Sequence, residues 1–441
     1  MPQLANALAR LEQQLTVSLA EISAIAASFH AAIGSGLAGE KSPLTMLPAH
    51  LGKPTGQEQG HFLALDFGGT TIRVLLVELD GQQGFHLTNR RAAPLKDDSG
   101  QYNYVSPQSS ATALFDFIAN QIASLVDDNT SYALGHTFSY PTRQTSCNNA
   151  ILLNWTKEIN TPGVIGQDVN ALLFAALKRR GLPLVVPQVI INDTVGTLLT
   201  AAYQDQHTDI GSICGTGHNT AYLEPHPPWT KQPMIINLES GNFDQLSFTM
   251  YDQQLDQTSE QPGQQRLEKM VSGRYIGELF RLIIVALLRN GLLTDCPAAF
   301  AALDQPNILA GQDVAVLLAD ATPQYEAIDC WLTHRLGLAN SKLKDRAALK
   351  AVASLLATRS ARLITATYLG ILQHIDPTLQ RCHNIGIDGS LYEKLPGYAN
   401  TIETTFTQCL QEKARQITVT LTKDGSGIGA AIATAIVQKR T

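Results

Sequence analysis

Two short stretches of this chain carry the residue types needed to hold phosphate. Asp66-Phe67-Gly68-Gly69-Thr70-Thr71 and Gly215-Thr216-Gly217 place glycines where main-chain N–H groups can come close to phosphate oxygens, with threonine hydroxyls as extra donors. Asp66 closes an apolar run and can hold a magnesium-bound water. Asp193 follows a second apolar run, Leu182–Ile191, which reads as a buried strand, at a point where a helix cap belongs. A carboxylate there can cap the helix or act as a general base for a hydroxyl, as kinase aspartates do. Either turn alone also reads as an ordinary hairpin. Their recurrence, each between two strand-like runs, points to phosphate chemistry.

The elements that must position these residues follow from the apolar patterning. FLALDF (Phe62–Phe67) and IRVLLVEL (Ile72–Leu79) flank the first turn, and DGQQG follows as another, predicting a β-meander. DIGSIC, GTGHN and TAYLE repeat the strand–turn–strand plan from about Asp209, and MIINLE (Met234–Glu239) reads as a third strand. Residues 1 to about 40 read as helix and Lys41–Gly60 as a Pro/Gly/Gln-rich connector. Gln265–Asn290 and Asp345–Gln373 are long helical tracts. Asn384–Ile387 and Thr418–Thr422 are short strands before a C-terminal helix. Two α/β lobes, each opened by a hairpin, predict a ligand cleft between them.

Composition narrows the function classes. The chain has 441 residues, with 32 Lys+Arg against 38 Asp+Glu, a net charge of −6. With 44% hydrophobic and 16% charged residues it is neither disordered nor polybasic, and it lacks the basic excess of a nucleic-acid binder. Cys147, Cys214, Cys296, Cys330, Cys382 and Cys409 show no metal spacing and read as free thiols of a reducing compartment. No signal peptide is evident, and Phe280–Leu293, interrupted by Arg281 and Arg289, is too short to span a bilayer. A soluble, cytoplasmic protein without a membrane span is expected, as monomer or homodimer. There is no P-loop motif, and Asp424–Gly429 lacks the following βαβ unit of a dinucleotide site.

The motifs FLALDFGGTTIRVLLVEL, GHTFSYPTRQTS, NWTK, INDTVGTLLT, GTGHNTAYLE, NLESGNF, GQQRLEKMVSGRYIGELFR, IGIDGSLYEKLPGY and DGSGIGAA occur in that order from end to end. Together they resemble the motif series of the hexokinase family, within the sugar kinase/Hsp70/actin superfamily. The resemblance implies an α/β fold with two lobes of ribonuclease H-like topology that close over a hexose and exclude water. It implies a small lobe of residues 61–200 with 428–441, a large lobe of 201–427, and an N-terminal segment of 1–60. It further implies transfer of the γ-phosphoryl of ATP, with Mg2+, to the 6-hydroxyl of a hexose such as glucose. By the same resemblance Asp193 is the catalytic base. Ser139, Thr156, Lys157, Asn192, Asp193 itself, Asn219, Glu239 and Glu268 contact the sugar. Asp66 (the magnesium contact, through water), Gly68, Gly69, Thr70, Thr71, Arg73, Gly215, Thr216, Gly217, Gly389, Ser390, Gly425 and Ser426 form the nucleotide site.

Four residues depart from the family pattern. Thr71 replaces Asn, Ser240 the Trp of E-W-G, His218 a Thr or Ser, and Ile428 the Lys of G-S-G-K-G-A-A. Ser240 is expected to loosen the packing beside Glu239, and Ile428 to remove a positive charge from the nucleotide side. A non-catalytic sugar sensor of the same fold, or a kinase for mannose, fructose or a hexosamine, remain alternatives. Against the sensor stand the intact Asp193 and phosphate turns.

Overall fold

The computed structural model describes residues 2–97, 99–127, 129–155, 159–294, 301–339 and 341–439. Its strands in chain order begin with β1 (Leu47–Pro48), β2 (Gln59–Phe67), β3 (Thr71–Asp80), β4 (Phe85–Pro94) and β5 (Tyr132–Phe138). The short ribbon β6 (Thr142–Arg143) and β7 (Ile151–Leu152) and the strand β8 (Val185–Ile191) complete the first half. The second half contributes β9 (Thr208–Cys214), β10 (His218–Glu224), β11 (Met234–Asn237), β12 (His383–Asp388) and β13 (Ile417–Leu421).

These strands form two open sheets of one design. In the first, ordered β4-β3-β2-β5-β8, an antiparallel meander is extended by two parallel strands. The second, β1-β11-β10-β9-β12-β13, repeats that plan and adds β1 at its edge. This is the ribonuclease H-like arrangement twice over, as in actin-like ATPases. The hairpin registers bring Phe67 opposite Ile72 and Cys214 opposite His218. Both Gly/Thr stretches are therefore hairpin turns at the same end of equivalent strands.

The meander, the paired lobes and the C-terminal helix agree with the sequence; four details differ. The apolar run ending at Ile191 is an edge strand, with Val186 exposed, consistent with Pro187, which lacks an N–H for a ladder. The tract from Gln265 is two helices, Arg266–Val271 and Gly273–Arg289, broken at extended Ser272. The N-terminal residues are also two helices, Pro2–Leu15 and Leu19–Leu37, separated by a capping box at Ser18. By length and composition Gln3–Leu37 could cross a membrane. Here Ile22, Ile25, Phe29 and Ile33 are buried, in the apolar core shared with the helix Leu343–Ile375. The N-terminal segment thus belongs to the second lobe, and β1 joins its sheet.

Two helices sit where the lobes meet. Asp193–Gln204 and Gly425–Gln438 cross so closely that a Cβ on Gly429 would fall 2.1 Å from the Gly196 carbonyl oxygen. The latter helix also packs on the first sheet, where a Cβ on Gly135 would lie 2.1 Å from the Ala430 carbonyl oxygen. Glycine lets the backbones approach, and the crossing sets how far Asp193 stands from Gly425 and Ser426.

Candidate active site

Four chain segments converge at the end of the two sheets that carries the turns. In the first lobe, Gly68 N–H closes the turn on the Thr71 carbonyl (3.2 Å). In the second, Gly215 N–H closes on the Gly217 carbonyl (3.0 Å). Those two amides are spent inside the turns. The N–H groups of Gly69, Thr70, Thr216 and Gly217 take no protein partner among the described residues and are the ones able to meet phosphate.

Around the first turn the side chains form a charged ring. Arg73 Nη1 lies 3.4 Å from Asp66 Oδ2 and 3.2 Å from Asp424 Oδ1. Ser426 Oγ donates to Asp66 Oδ2 (3.1 Å). Asp388, at the end of β12, accepts the Gly425 N–H (3.0 Å). Its own burial, with the charges of Asp424 and Asp66 nearby, pushes its carboxyl up to about 6.

The second turn is held mostly by main chain. Its Gly215 and Thr216 carbonyls accept N–H groups of Gly273 (2.8 Å) and Arg274 (3.0 Å), the start of the helix Gly273–Arg289. This docking accounts for the break at Ser272, since a continuous helix would have used those N–H groups internally. Behind the turn Gly389, at φ 124°, packs so tightly that a Cβ would lie 2.5 Å from Cys214 carbonyl atoms and 2.7 Å from Gly215 N. Gly389, exposed Ser390, Gly425 and Ser426 are therefore all brought to the two turns.

Of the sugar-site candidates, Asn192 and Glu239 line an adjoining cleft, whose walls also include Leu47, Tyr140, Gln144 and Asn237. Asn192, not Asp193, is the helix N-cap: its Oδ1 accepts the Thr194 N–H (2.9 Å). Asp193 is the first helical residue, and its Oδ1 also accepts that N–H (2.9 Å). Asn219 Oδ1 accepts the N–H groups of Thr220 (2.7 Å) and Ser240 (3.1 Å), and its Nδ2 donates to Asn237 Oδ1 (2.9 Å). Glu239 adopts φ 51°, the left-handed region, at a cost of about 1–3 kcal/mol that the flanking hydrogen bonds must offset. Glu268 Oε2 accepts the His218 N–H (2.9 Å) and abuts Gly217, so it braces the second turn. Ser139 follows β5 and donates its N–H to Phe67 O (3.5 Å). Thr156 and Lys157 lie outside the described residues.

Three residues that the motif reading passed over are in the site. Tyr140 donates its hydroxyl to the Gly68 carbonyl (2.9 Å). Burial first, then the charges of Asp193 and Asp66, hold its phenol protonated far above the ordinary tyrosine range. Asp388 and Asn237 are the others. All three stand inside or beside quoted motifs, and position within a motif was the available signal.

Two expectations about the departures need correction. Ser240 loosens nothing: it is fully buried, and its hydroxyl donates to Thr220 Oγ1 (3.2 Å) and faces His218 Nε2 (3.5 Å). Burial pushes the His218 imidazole down to about 4, and its Nδ1 donates to the Ile213 carbonyl (3.0 Å), so the ring is neutral. The His218 and Ser240 replacements are thus packed on each other. Ile428 is 2% exposed in the apolar cluster with Ala64, Leu75 and Val195; it points into the core, away from the nucleotide face.

Two family models described as Hexokinase match residues 7–203 and 209–436. Hexokinase-7 of Oryza sativa subsp. japonica is 36% identical over 453 residues, covering 96% of this chain and 95% of its own. Hexokinase-1 of Saccharomyces cerevisiae is 33% identical over 470 residues, covering 99% and 93%. A solved hexokinase from Schistosoma mansoni, complexed with glucose, aligns with a TM-score of 0.85 at 31% identity, covering 98% of this chain and 99% of that one. Two phosphate-turn lobes around a polar cleft define a sugar-kinase-type phosphotransferase. The chain belongs to the hexokinase family. It is an ATP-dependent enzyme that phosphorylates a hexose.

Proposed function

We infer that the hexose is D-glucose, bound in the cleft between the lobes, and that Asp193 takes the proton of its 6-hydroxyl as the γ-phosphoryl of ATP is transferred. The observation that carries this reading is the placement of Asp193. It sits at the start of a helix locked against Ser426 and within the electrostatic reach of Tyr140, which itself grips the first turn. Asn192, Asn219, Glu239 and Glu268 supply the paired donors and acceptors that a neutral polyol needs. Main-chain N–H groups of both turns take up charge as the phosphoryl moves. Lobe closure would exclude water and suppress hydrolysis of ATP.

Magnesium fits the donor set. Asp66, Asp388 and Asp424 put carboxylate oxygens, suited to a hard cation, beside the turns; burial raises the Asp388 carboxyl first, with the Asp424 and Asp66 charges adding to it. Among the described residues no group of three or more His, Cys, Asp or Glu could hold a metal alone. Asp66 would therefore meet, through water, an ion that comes with the nucleotide. Bound there, magnesium supplies neutralisation of phosphate charge. An ADP-release assay across a hexose panel tests the reading: glucose should give the highest kcat/KM, and EDTA should abolish turnover. Turnover without a divalent ion would refute the metal requirement, and preference for another hexose would correct the substrate.

The exposed free thiols Cys330 and Cys382 favour a reducing compartment, the cytoplasm. Recovery of the protein in an organelle fraction would contradict that placement.

A further inference from the structure

We propose that Asn237 is the positioning residue of the hexose site, setting both Asn219 and Glu239 through one buried amide whose orientation admits no alternative. This rests on the reading in which those two side chains face the sugar. Asn237 ends β11 and is 4% exposed. Its orientation follows from a chain of obligations. The Asn219 oxygen is committed to the N–H groups of Thr220 and Ser240, so the Asn219 amide nitrogen must face Asn237. A nitrogen donor requires the Asn237 oxygen opposite it, and that oxygen also takes the Glu239 N–H (3.2 Å). The Asn237 nitrogen is then left to donate to Glu239 Oε1 at 2.8 Å.

Thr194 does not compete for the same oxygen. Its hydroxyl lies 3.5 Å from Asn237 Oδ1 but 2.6 Å from Asn192 Oδ1, and its single proton goes to the nearer partner. Asn237 thus joins a neutral amide on one side to a carboxylate on the other, and only a residue with both donor and acceptor can do so.

Asn237→Asp keeps shape and acceptor but loses the donor, leaving two carboxylates face to face. At about pH 8 the variant should raise the hexose KM about tenfold or more, as expected for losing a charge-assisted bond. At about pH 6 a proton shared between the two carboxyls restores the donor, and the KM should return to within about threefold of wild type. The ATP KM should stay within about twofold throughout, because the nucleotide turns are untouched.

A hexose KM equal to wild type, or one raised equally at both pH values, overturns the proposal. A role confined to folding would not produce acid rescue. Should Asn237→Asp not fold, Asn237→Ser, too short to reach Oε1, must still raise the hexose KM about fivefold with the ATP KM unchanged; a wild-type KM there overturns the proposal too. A wild-type protein that consumes ATP with no hexose would sink the reading beneath it, a result separate from a silent variant of an active enzyme.

Discussion

The two phosphate turns occupy equivalent places in two copies of one topology, yet they are held by different physics. The first is ringed by charge: Arg73 spans Asp66 and Asp424, and Ser426 completes the ring. The second is held mostly by backbone, its carbonyls on the start of a helix and its rear filled by Gly389, with the Glu268 carboxylate as a single charged brace. A charge-held turn responds to salt, pH and ligand charge, whereas a backbone-held turn responds to shape. One site therefore combines an adjustable wall with a fixed one.

The largest expected effect leaves both walls standing. Asp193→Ala should lower kcat by about 10²–10⁴-fold, the usual worth of a general base, while sparing hexose affinity measured by direct binding. Near-wild-type turnover would mean the base lies elsewhere. Next comes the fixed wall. Gly389→Ala should cost about 10–100-fold in kcat/KM for ATP, because its Cβ would meet main-chain atoms that cannot step aside. The loss should not vary with ionic strength.

Arg73→Ala attacks the adjustable wall. Its side chain is 47% exposed, so the loss should be only about three- to tenfold in ATP KM and should shrink as salt rises. If the two variants showed the same salt response, the contrast between the walls would be wrong.

The last effect concerns stability and not turnover. His136, on β5, is fully buried and stacks on Phe67 just ahead of the first turn (centroids 6.5 Å apart). Burial lowers its folded pKa to about 3, against 6.5 when exposed. A depressed histidine pKa stabilises the fold above the exposed value and is lost as pH falls. Thermal unfolding followed from about pH 6.5 to 5 should show a loss of about 2 kcal/mol from this residue. His218 adds to it from the second lobe, where burial also lowers its pKa. Replacing His136 by Gln should flatten the acid limb in the first lobe; an unchanged slope would exclude it.

Much of this architecture was legible in the sequence, for a reason visible in the same contrast. Hairpins such as β2–β3 announce themselves through local alternation and glycine turns, and both turns were found that way. Asp193 stood out as a polar residue at the end of an apolar run, and Asn192 and Glu239 through the motifs of the resemblance. Asn237 did not, because its function lies in hydrogen bonds to residues 18 positions before it and 2 after, a relation that exists only once β10 and β11 pair. The break at Ser272 was hidden likewise: its cause is Gly215, far back in the chain. Ile428 was misread because a helix start seen as sequence does not reveal which face is buried.

The crossing of Gly425–Gln438 over Asp193–Gln204 has a consequence for how the enzyme is made. Asp424, Gly425 and Ser426 sit beside the first turn, while the rest of their helix fills the first lobe's core. That core is built mostly from residues translated more than two hundred positions earlier. A nascent chain stalled before residue 425 would have the sugar residues and both turns, but neither a sealed core nor the Ser426 hydroxyl on Asp66. Activity should therefore appear only once this helix has been made, and products truncated within it should be targets for proteolysis rather than partial kinases.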